Sequence, residues 1–414
     1  MTVALLKYYE RNQQKSQTKF MKTGYSIRTW RMRLVCPEPI WLDRTEEYFQ
    51  NVVEFYYHLL RQHEELWNSS LFDIQRSLEL LTLAGRDGRQ PTNPLPMGKV
   101  PVYLRRAAIN KASATVKSTQ ELQSGFPEKL EAKVTFFKGM YSDLTDRSIC
   151  LKLWNGEKWI WTDCKLKGRL FPQDGQLMSP TLVKEGRRYL LNIPVKQENS
   201  DARTAKERMA EGTNLCSVRF TNTDIFAVCC ILDELGKQLA VHNCRGGDAY
   251  RHRCKLLETR IQKSRPNTVG DNSSQPNRKY YMHLKNLSEH YAHQVSREIL
   301  NFCKENQAGI IVLPDYDQNF TRMAMVKSGN FSPLHLSSKI RTNLQYKAWA
   351  EGILVLETRT DGLKDKCAIC GGKVRRKGNE FLCENGHQGN RFLNDARNLG
   401  RKCQDSFFRG SRTK

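Results

Sequence analysis

The chain of 414 residues has no stretch approaching the roughly 20 consecutive apolar residues that cross a bilayer, so we expect no membrane-spanning helix. Its first residues, MTVALLKYYERNQQ, lack the apolar core of a secretion signal, and its 13 cysteines are an odd number. These absences predict a cytoplasmic protein in a reducing compartment. Most cysteines are then expected to be small buried residues, including Cys216, Cys229, Cys230 and Cys303 in apolar runs.

Acidic residues are too few to balance the basic ones, with 43 Asp and Glu against 67 Lys and Arg and a formal charge of +24. Such an excess opposes compaction unless the surface meets a polyanion, so nucleic acid is the expected partner. The alternative is a set of lysine-rich solvated faces with no ligand. The length allows two or three domains, each with its own core.

A basic segment and then a helical segment open the chain. Residues 1–42 are predicted to form a basic arm that runs into the strand-like YSIRTWRMRLV, where an aromatic ring and guanidinium groups share one strand. Residues 43–128 are predicted to be helical, because apolar residues recur every three or four positions from Asp43 onward. The candidate nucleic-acid contacts in these segments are Arg28, Trp30, Arg31, Arg33, Arg105, Arg106 and Lys111.

The rest of the chain changes period twice. Residues 129–200 alternate apolar and polar residues, which predicts a small antiparallel β unit, and the polar stretch 201–213 is predicted to be a linker. Between 214 and 358 a strand hairpin, a long amphipathic helix and the apolar run GIIVLP predict an α/β sheet with both faces covered. We therefore expect a multidomain α+β protein.

Cysteine and histidine spacing predicts a metal site. Cys367 and Cys370 lie in CAICGG, and CENGH supplies Cys383 and His387, a set that suits tetrahedral zinc. Cys403 is an alternative fourth ligand, and cysteines without metal are the other interpretation. Four protein ligands leave no open position, so the zinc is expected to be structural. The short loop between the pairs offers basic residues for phosphate contact, namely Lys373, Arg375, Arg376 and Lys377.

These features, in this order, resemble the C-terminal half of TnpB proteins and of the compact type V CRISPR effectors. The most specific part contains LQYKAWAEGILVLETRT, the CAICGG knuckle and NDARN. The resemblance implies an RNase-H-like RuvC domain in 214–358, a zinc ribbon in 359–390 that binds target nucleic acid, and a last RuvC segment with a basic tail in 391–414, including Arg391 and Arg397. Before residue 214 it implies a β-barrel-like wedge domain with an inserted helical recognition domain.

The chain departs from this family at the catalytic acids. RuvC cleavage needs carboxylates that converge on two metal ions. The match places Phe220 or its neighbour, Pro314 and Phe392 at those positions, and neither a phenyl ring nor proline ligates magnesium. The resemblance therefore implies a nuclease-dead centre with no catalytic use of Mg²⁺. Nearby carboxylates leave a shifted two-metal centre open, or else are turn and helix-surface residues: Asp224, Asp315, Asp317 and Asp395.

The resemblance implies a protein that binds guide RNA and complementary double-stranded DNA beside a short flanking motif, without cutting it. Such binding would block transcription or replication, as in antiviral defence, or recruit a transposition or transcription partner. A short chain covers a heteroduplex of about 20 base pairs poorly, so we expect a homodimer or a large RNA scaffold or tracrRNA. The alternatives are an endonuclease with displaced carboxylates and a transposon-derived nucleic-acid-binding protein without a guide.

Overall fold

The structure is a computed structural model that describes residues 24–85, 88–122, 125–172, 174–199, 201–263, 277–316 and 332–408. Most of the predicted basic arm, up to residue 23, and Asp317 lie outside these ranges. The chain divides into two compact units. The first unit is Ile27–Gln197, and the second unit combines Met1–Ser26 with Glu198–Lys414. Among the described helices, none is both long and apolar enough to cross a membrane.

A seven-stranded sheet and three helices form the first unit. The strand order is β2-β3-β4-β1-β7-β5, with β6 paired to β7. The strands are β1 (Tyr25–Val35), β2 (Tyr141–Ser142), β3 (Ser148–Trp154), β4 (Trp159–Lys167), β5 (Gln176–Leu177), β6 (Thr181–Glu185) and β7 (Arg188–Glu198). Alternating burial along β1, β3 and β4 puts one face of the sheet against the core and the other toward solvent. The period-two pattern had predicted this arrangement for 129–200.

The helices of the first unit are α1 (Pro39–Gln62), α2 (Leu71–Thr82) and α3 (Val102–Glu121). The apolar residues of α1 recur at three- and four-residue steps and are buried, including Phe49, Val53 and Tyr56. The helix begins at Pro39, four residues before the predicted start, because proline fixes the backbone angle that the first helical turn requires. Ser70 caps α2 by accepting a hydrogen bond from the Asp73 amide.

A five-stranded sheet organises the second unit, in the order β10-β9-β8-β11-β12. Its strands are β8 (Leu215–Phe220), β9 (Ile225–Leu232), β10 (Gln238–Arg245), β11 (Ile310–Asp315) and β12 (Leu354–Arg359). β8, β9 and β10 pair antiparallel, whereas β11 lies parallel to both β8 and β12. Apolar patterning predicted β8, β9 and β11. It did not single out β12, nor β10, whose residues alternate between half-buried and exposed.

Helices cover both faces of this sheet. They are α4 (Ala205–Ala210), α5 (Gly247–Lys263), α6 (Arg278–Glu305), α7 (Ser337–Trp349) and α8 (Arg391–Phe408). Residues of α5, α6 and α7 share one core with Cys216, Val218 and Phe220 of β8. Residues of α4 and α8 share the opposite core with Leu215 and Val312. Cys216, Cys229, Cys230 and Cys303 are fully buried, so the prediction for these cysteines is confirmed.

The stretch 201–213 is not the exposed linker that its polar composition predicted. It contains α4, and Ala205, Arg208 and Met209 are buried within the second unit. Arg208 is completely inaccessible, and its guanidinium donates to the carbonyls of Gly309 and Gly352 at 2.7 and 2.6 Å. Its buried charge is met by these main-chain oxygens and by the Asp201 carboxylate, which lies 3.4 Å away.

A small three-stranded sheet follows β12. Its strands are β13 (Val374–Lys377), β14 (Glu380–Cys383) and β15 (Gln388–Asn390), paired antiparallel in that order. A core of Cys367, Phe381 and Cys383 lies beneath it. This sheet carries the predicted metal ligands and leads directly into α8.

Candidate functional site

Cys367, Cys370, Cys383 and His387 come together in the small sheet. Their ligand atoms all lie within 4.8 Å of one another, and the sulfurs of Cys370 and Cys383 are 3.3 Å apart. Tetrahedral zinc with Zn–S bonds of about 2.3 Å places two sulfurs about 3.8 Å apart, so the set has the right size for such an ion. The four predicted ligands therefore form one cluster that is able to hold a metal ion.

Atoms around this cluster fit a metal ion as well. His387 Nδ1 is buried and has no hydrogen-bond partner within the described ranges. Backbone amides of Ile369 and Asn385 donate to the sulfurs of Cys367 and Cys383 at 3.4 Å. The Asn385 side-chain amide donates to Cys370, and this bond, followed by the Gly372 amide, lowers the pKa of Cys370 to about 6. A thiol with this pKa is mostly thiolate at neutral pH, which is the form that binds metal.

Cys403, the alternative fourth ligand, lies elsewhere. It is buried on α8 in the core that contains Leu354 and Leu356, and burial raises the pKa of its thiol to about 11. A protonated thiol in an apolar core is a packing residue. The structure therefore favours His387 over Cys403 in the cluster.

The predicted catalytic positions meet where β8, β11 and α8 approach one another. Phe220 packs into the core with Tyr291 and Val295, on the face away from α8. Its neighbour Arg219 points to α8 instead, and Arg219 Nε lies 3.3 Å from Asp395 Oδ2. A match through Ala227 had placed the family acid at or next to Phe220. Of these two neighbouring positions on β8, the one that faces α8 therefore carries an arginine and not an acid.

Asp395 is buried and already neutralised. Its side chain is 4% exposed, and it accepts a charged hydrogen bond of 2.5 Å from Arg376 in addition to its ion pair with Arg219. Arg219 Nη1 also donates to the Tyr316 hydroxyl at 2.7 Å. Each oxygen of this carboxylate already binds a guanidinium group, so Asp395 is a weaker metal ligand than a free carboxylate would be. Phe392 is buried one turn before Asp395 and offers no ligand either.

Two more carboxylates lie near the buried Pro314, one at the end of β11 and one on the adjacent strand β12. Asp315 is exposed and lies in register with Arg359 of β12. Glu357, which the sequence analysis had not singled out, faces Arg341 with a 3.1 Å ion pair. Burial raises the pKa of Glu357, and the nearby Asp315 adds to that effect while Arg341 opposes it.

Asp224 has a structural role. Its carboxylate accepts the Asp248 amide at 3.1 Å, and its carbonyl accepts the Gly247 amide at 2.7 Å. From the turn between β8 and β9 it thereby satisfies the first amides of α5, as a capping side chain does. Asp224 therefore fits the turn interpretation.

A two-metal carboxylate centre does not form among the described residues. Only two sets of three or more potential ligands lie close together there, the Cys367 set and His242 with Cys244 and Glu298. Neither set includes Asp315, Glu357 or Asp395. Among the described residues, side chains do not bring together the several oxygen ligands that magnesium prefers around one ion.

The basic hairpin residues divide by strand alternation. Lys373, Arg375 and Lys377 are exposed on one side of β13. Arg376 points the other way and binds both Asp395 and the Lys364 carbonyl. Arg391 lies at the start of α8 beside Phe392, and Arg397 donates to Gln238 at 2.7 Å.

The first unit has its own basic surface on β1, β3 and β4, which we call the β1–β4 face. Arg33 lies directly opposite Lys167, and Val35 opposite Lys165. Trp161 is 46% exposed, and the Lys152 ammonium lies 5.6 Å from the centre of its ring. The face comprises Arg31, Arg33, Lys152, Trp161, Lys165 and Lys167, together with the exposed Asp163. Sequence reasoning missed its two lysines on β4, although their alternation with buried Cys164 and Leu166 could have shown them.

Other predicted contacts are placed differently. Arg28 and Trp30 alternate with Arg31 and Arg33 and lie on the half-buried side of β1, where Trp30 donates to the Leu170 carbonyl. Arg105 is only 7% exposed and is held by Glu79 through bonds of 3.0 and 3.2 Å. Its neighbour Arg106 and the more distant Lys111 are exposed on α3. Trp154 and Trp159 pack on Tyr48, as expected for core aromatic residues.

Comparison with known proteins agrees with this architecture. Residues 26–155 match the Aq_aa04 family, and no curated protein matches the chain in sequence. A Cas12f1–sgRNA–target DNA complex is similar over 91% of this chain and 99% of its own, at 12% identity and a TM-score of 0.53. The mini RNA-guided endonuclease CRISPR-Cas phi3 is similar over 95% and 97%, at 10% identity and 0.51.

Alicyclobacillus acidoterrestris C2c1 in complex with single-guide RNA is similar over 87% of this chain and 70% of its own, at 10% identity and a TM-score of 0.50. These identities are low, so the likeness concerns the path of the backbone. It extends over both units and includes the mixed sheets and helices described above. The chain has the fold of the compact type V CRISPR effectors.

Proposed function

We propose that this protein binds a guide RNA and holds the complementary double-stranded DNA without cleaving it. The observation that carries the proposal is the pairing of Asp395 with Arg219 and Arg376, on a fold that solved effectors use with guide RNA and target DNA. A nuclease of this kind needs free carboxylates for two metal ions. Here the buried carboxylate is occupied by guanidinium groups, so binding is retained while cleavage is lost.

The basic surfaces support nucleic-acid binding. Like charges directly opposite each other on a sheet destabilise it, and Arg33 with Lys167 is such a pair. A phosphate backbone laid across the β1–β4 face would remove that repulsion, and the exposed Trp161 ring would offer a stacking surface. The exposed Lys373, Arg375 and Lys377 offer a second contact surface on the small sheet.

We assign structural zinc to Cys367, Cys370, Cys383 and His387. Bound there, the ion supplies a tetrahedral cross-link that fixes the hairpin carrying the basic residues. We further assign the first sheet and its helices to wedge and recognition roles and the five-stranded sheet to a RuvC-like domain. A homodimer, or a large RNA scaffold, would complete the surface for a heteroduplex of about 20 base pairs.

The first experiment is to purify the protein from cells that carry its native locus and to sequence the RNA that comes with it. One enriched species with a constant structured part and a variable segment is expected. Heterogeneous RNA, or none, would contradict the guided function and favour a binder without a guide.

The second experiment adds a labelled duplex that matches the variable segment, with Mg²⁺, and compares it with a scrambled duplex. We expect a complex only with the matched duplex, and intact DNA after prolonged incubation. Matched DNA that is cut, with cutting abolished by Asp315→Ala, would instead establish the endonuclease.

A further inference from the structure

Two guanidinium groups bind one carboxylate where β8, β13 and α8 meet, and a third arginine lies one helical turn away from that carboxylate on α8. We call Arg219, Arg376, Arg391 and Asp395 the Asp395 cluster. Arg219 and Arg376 bind the two oxygens of Asp395, at 3.3 and 2.5 Å. Arg391 lies at the N-terminal end of the same helix and has its guanidinium carbon 4.6 Å from the centre of the Phe392 ring. The cluster thus contains three positive charges and one negative charge.

The charge excess is held away from water. The side chain of Arg219 is 13% exposed, and the Nε atoms of Arg219 and Arg391 are buried without a hydrogen bond within the described ranges. Burial lowers the pKa of Arg391, and the charges of Arg376 and Arg219 lower it further, while Asp395 alone opposes them. Buried charge without a partner destabilises the folded state. An additional anion bound at the cluster would therefore stabilise it.

Within the described ranges, the acidic groups nearby do not supply that anion. Glu357 is engaged by Arg341 at 3.1 Å, and Asp315 is an exposed residue in register with Arg359. The first amides of α8 are also occupied, because Asn390 Oδ1 accepts from Phe392 and Leu393. The excess charge therefore belongs to the arginine side chains.

Guanidinium groups bind phosphate oxygens through paired N–H donors, and three of them suit an anion with several oxygens. The strand that supplies Arg376 presents Arg375 and Lys377 on its opposite side. A strand of nucleic acid with one phosphate at the Asp395 cluster could thus reach further cations on the same hairpin. This continuity favours a polymer over a single nucleotide.

We propose that Arg219, Arg376 and Arg391 grip one phosphodiester of a single-stranded nucleic acid at the place where a nuclease of this fold would cut it. The proposal deepens the proposed function, on which it rests only for the choice of nucleic acid as ligand. The position of a catalytic centre would then bind a phosphodiester without cleaving it. The phosphodiester belongs either to DNA or to guide RNA, and the test below distinguishes the two.

The experiment measures binding of the full-length protein, freed of copurified RNA, to labelled oligothymidylate and oligouridylate by fluorescence anisotropy. Arg391→Gln is compared with Lys402→Gln, which removes one charge from an exposed part of α8 where Lys402 Nζ donates to the Asp361 carbonyl. We expect Arg391→Gln to weaken binding about tenfold and to lower the salt slope by about 0.7, as loss of one phosphate contact does. Lys402→Gln should change both little.

A second arm uses oligothymidylates that carry one neutral methylphosphonate at successive positions, bound in a fixed register beside a short duplex. Wild type should lose affinity at one position, and Arg391→Gln should show no further loss there, as expected when the variant and the neutral group remove the same contact. Arg391→Lys should recover part of the affinity because it keeps the charge and loses the paired donors. The tighter-binding oligomer, DNA or RNA, identifies the source of the phosphodiester.

Two results would contradict the phosphodiester site. The first is that Arg391→Gln and Lys402→Gln bind with equal affinity and an unchanged salt slope. The second is that Arg391→Gln weakens the binding of methylphosphonate and unmodified oligothymidylates by the same factor. Thermal unfolding of each variant checks that it is folded. These assays contain no guide RNA, so a negative result would contradict the phosphodiester site and would leave guided binding untouched. Failure to recover a guide RNA would in turn contradict guided binding and would leave the phosphodiester site untouched.

Discussion

Asp395 on α8 and Arg219 on β8 form a buried ion pair, with 3.3 Å between Asp395 Oδ2 and Arg219 Nε. The pair joins the last helix of the chain to the first strand of the five-stranded sheet, and Arg376 adds the small sheet to the same carboxylate. Three elements far apart in sequence therefore depend on one acidic side chain. Its role is to hold the second unit together, in place of binding a catalytic metal ion.

Asp395→Ala should destabilise the second unit strongly. Removing the carboxylate leaves Arg219 and Arg376 buried without compensation, which costs about 3–5 kcal/mol in comparable sites. Nucleic-acid affinity should rise in the same variant, because the cluster then has a larger excess of positive charge. Urea unfolding and fluorescence anisotropy measure the two effects. Asp405→Ala, at an exposed position of α8, is the control. A variant that weakens both properties together would contradict this account.

The metal cluster makes a clear prediction for elemental analysis. The purified protein should contain one zinc per chain, and Cys367→Ala or Cys383→Ala should lose it, because a closed site needs all four ligands. Cys403→Ala should keep the metal, since Cys403 lies in the core of α8 and the five-stranded sheet. Mass spectrometry of acid-released metal checks all three variants. Zinc that survives Cys367→Ala and disappears with Cys403→Ala would reverse the ligand assignment.

Local pattern made much of this fold predictable. The spacing of Cys367, Cys370, Cys383 and His387 identified a cluster whose ligand atoms do lie together. Apolar periodicity located α1, and the hairpin, helix and strand order of the second unit was recovered because buried parallel strands are nearly continuous in apolar residues.

Pairing between distant segments was not predictable in the same way. A sequence does not show that Arg208 lies under carbonyls of Gly309 and Gly352, or that Arg376 meets Asp395. Basic residues in a basic chain all look like surface contacts until packing separates them. Arg105 shows this most simply, because it is buried while the adjacent Arg106 is exposed, although both contact Glu79.

Lys347 should make the stability of the second unit depend on pH. Its ammonium donates to the His293 carbonyl and Ser296 Oγ of α6, and burial, with help from Arg297, lowers its pKa to about 8. The unfolded value is about 10.4. Because the folded pKa is the lower one, the charged form is penalised in the folded state, and this penalty is present below pH 8 and disappears as pH rises toward 10.4.

The stability of wild type relative to Lys347→Met should therefore increase by about 1 kcal/mol between about pH 7 and pH 10, after allowance for solvent screening. Urea unfolding of both proteins across this range measures the difference. Lys339→Met is the matched control, because Lys339 also joins α7 to α6, through an ion pair with Glu289 at 2.7 Å. A constant difference between wild type and Lys347→Met would show that the Lys347 charge is not penalised by burial.

Lys167→Glu should separate stability from binding on the β1–β4 face. The new carboxylate would lie opposite Arg33 and convert a repulsive cross-strand pair into an attractive one, a gain of about 0.2–1 kcal/mol. Nucleic-acid affinity should fall at the same time, with a smaller salt slope, because one phosphate contact is lost and a negative charge is added. Lys158→Glu, in the exposed turn between β3 and β4, is the charge-matched control. Thermal unfolding and salt-dependent anisotropy measure the two effects. Higher thermal stability together with weaker binding would show that Lys167 serves nucleic-acid binding at the expense of folding stability. Lower thermal stability of Lys167→Glu would contradict this account.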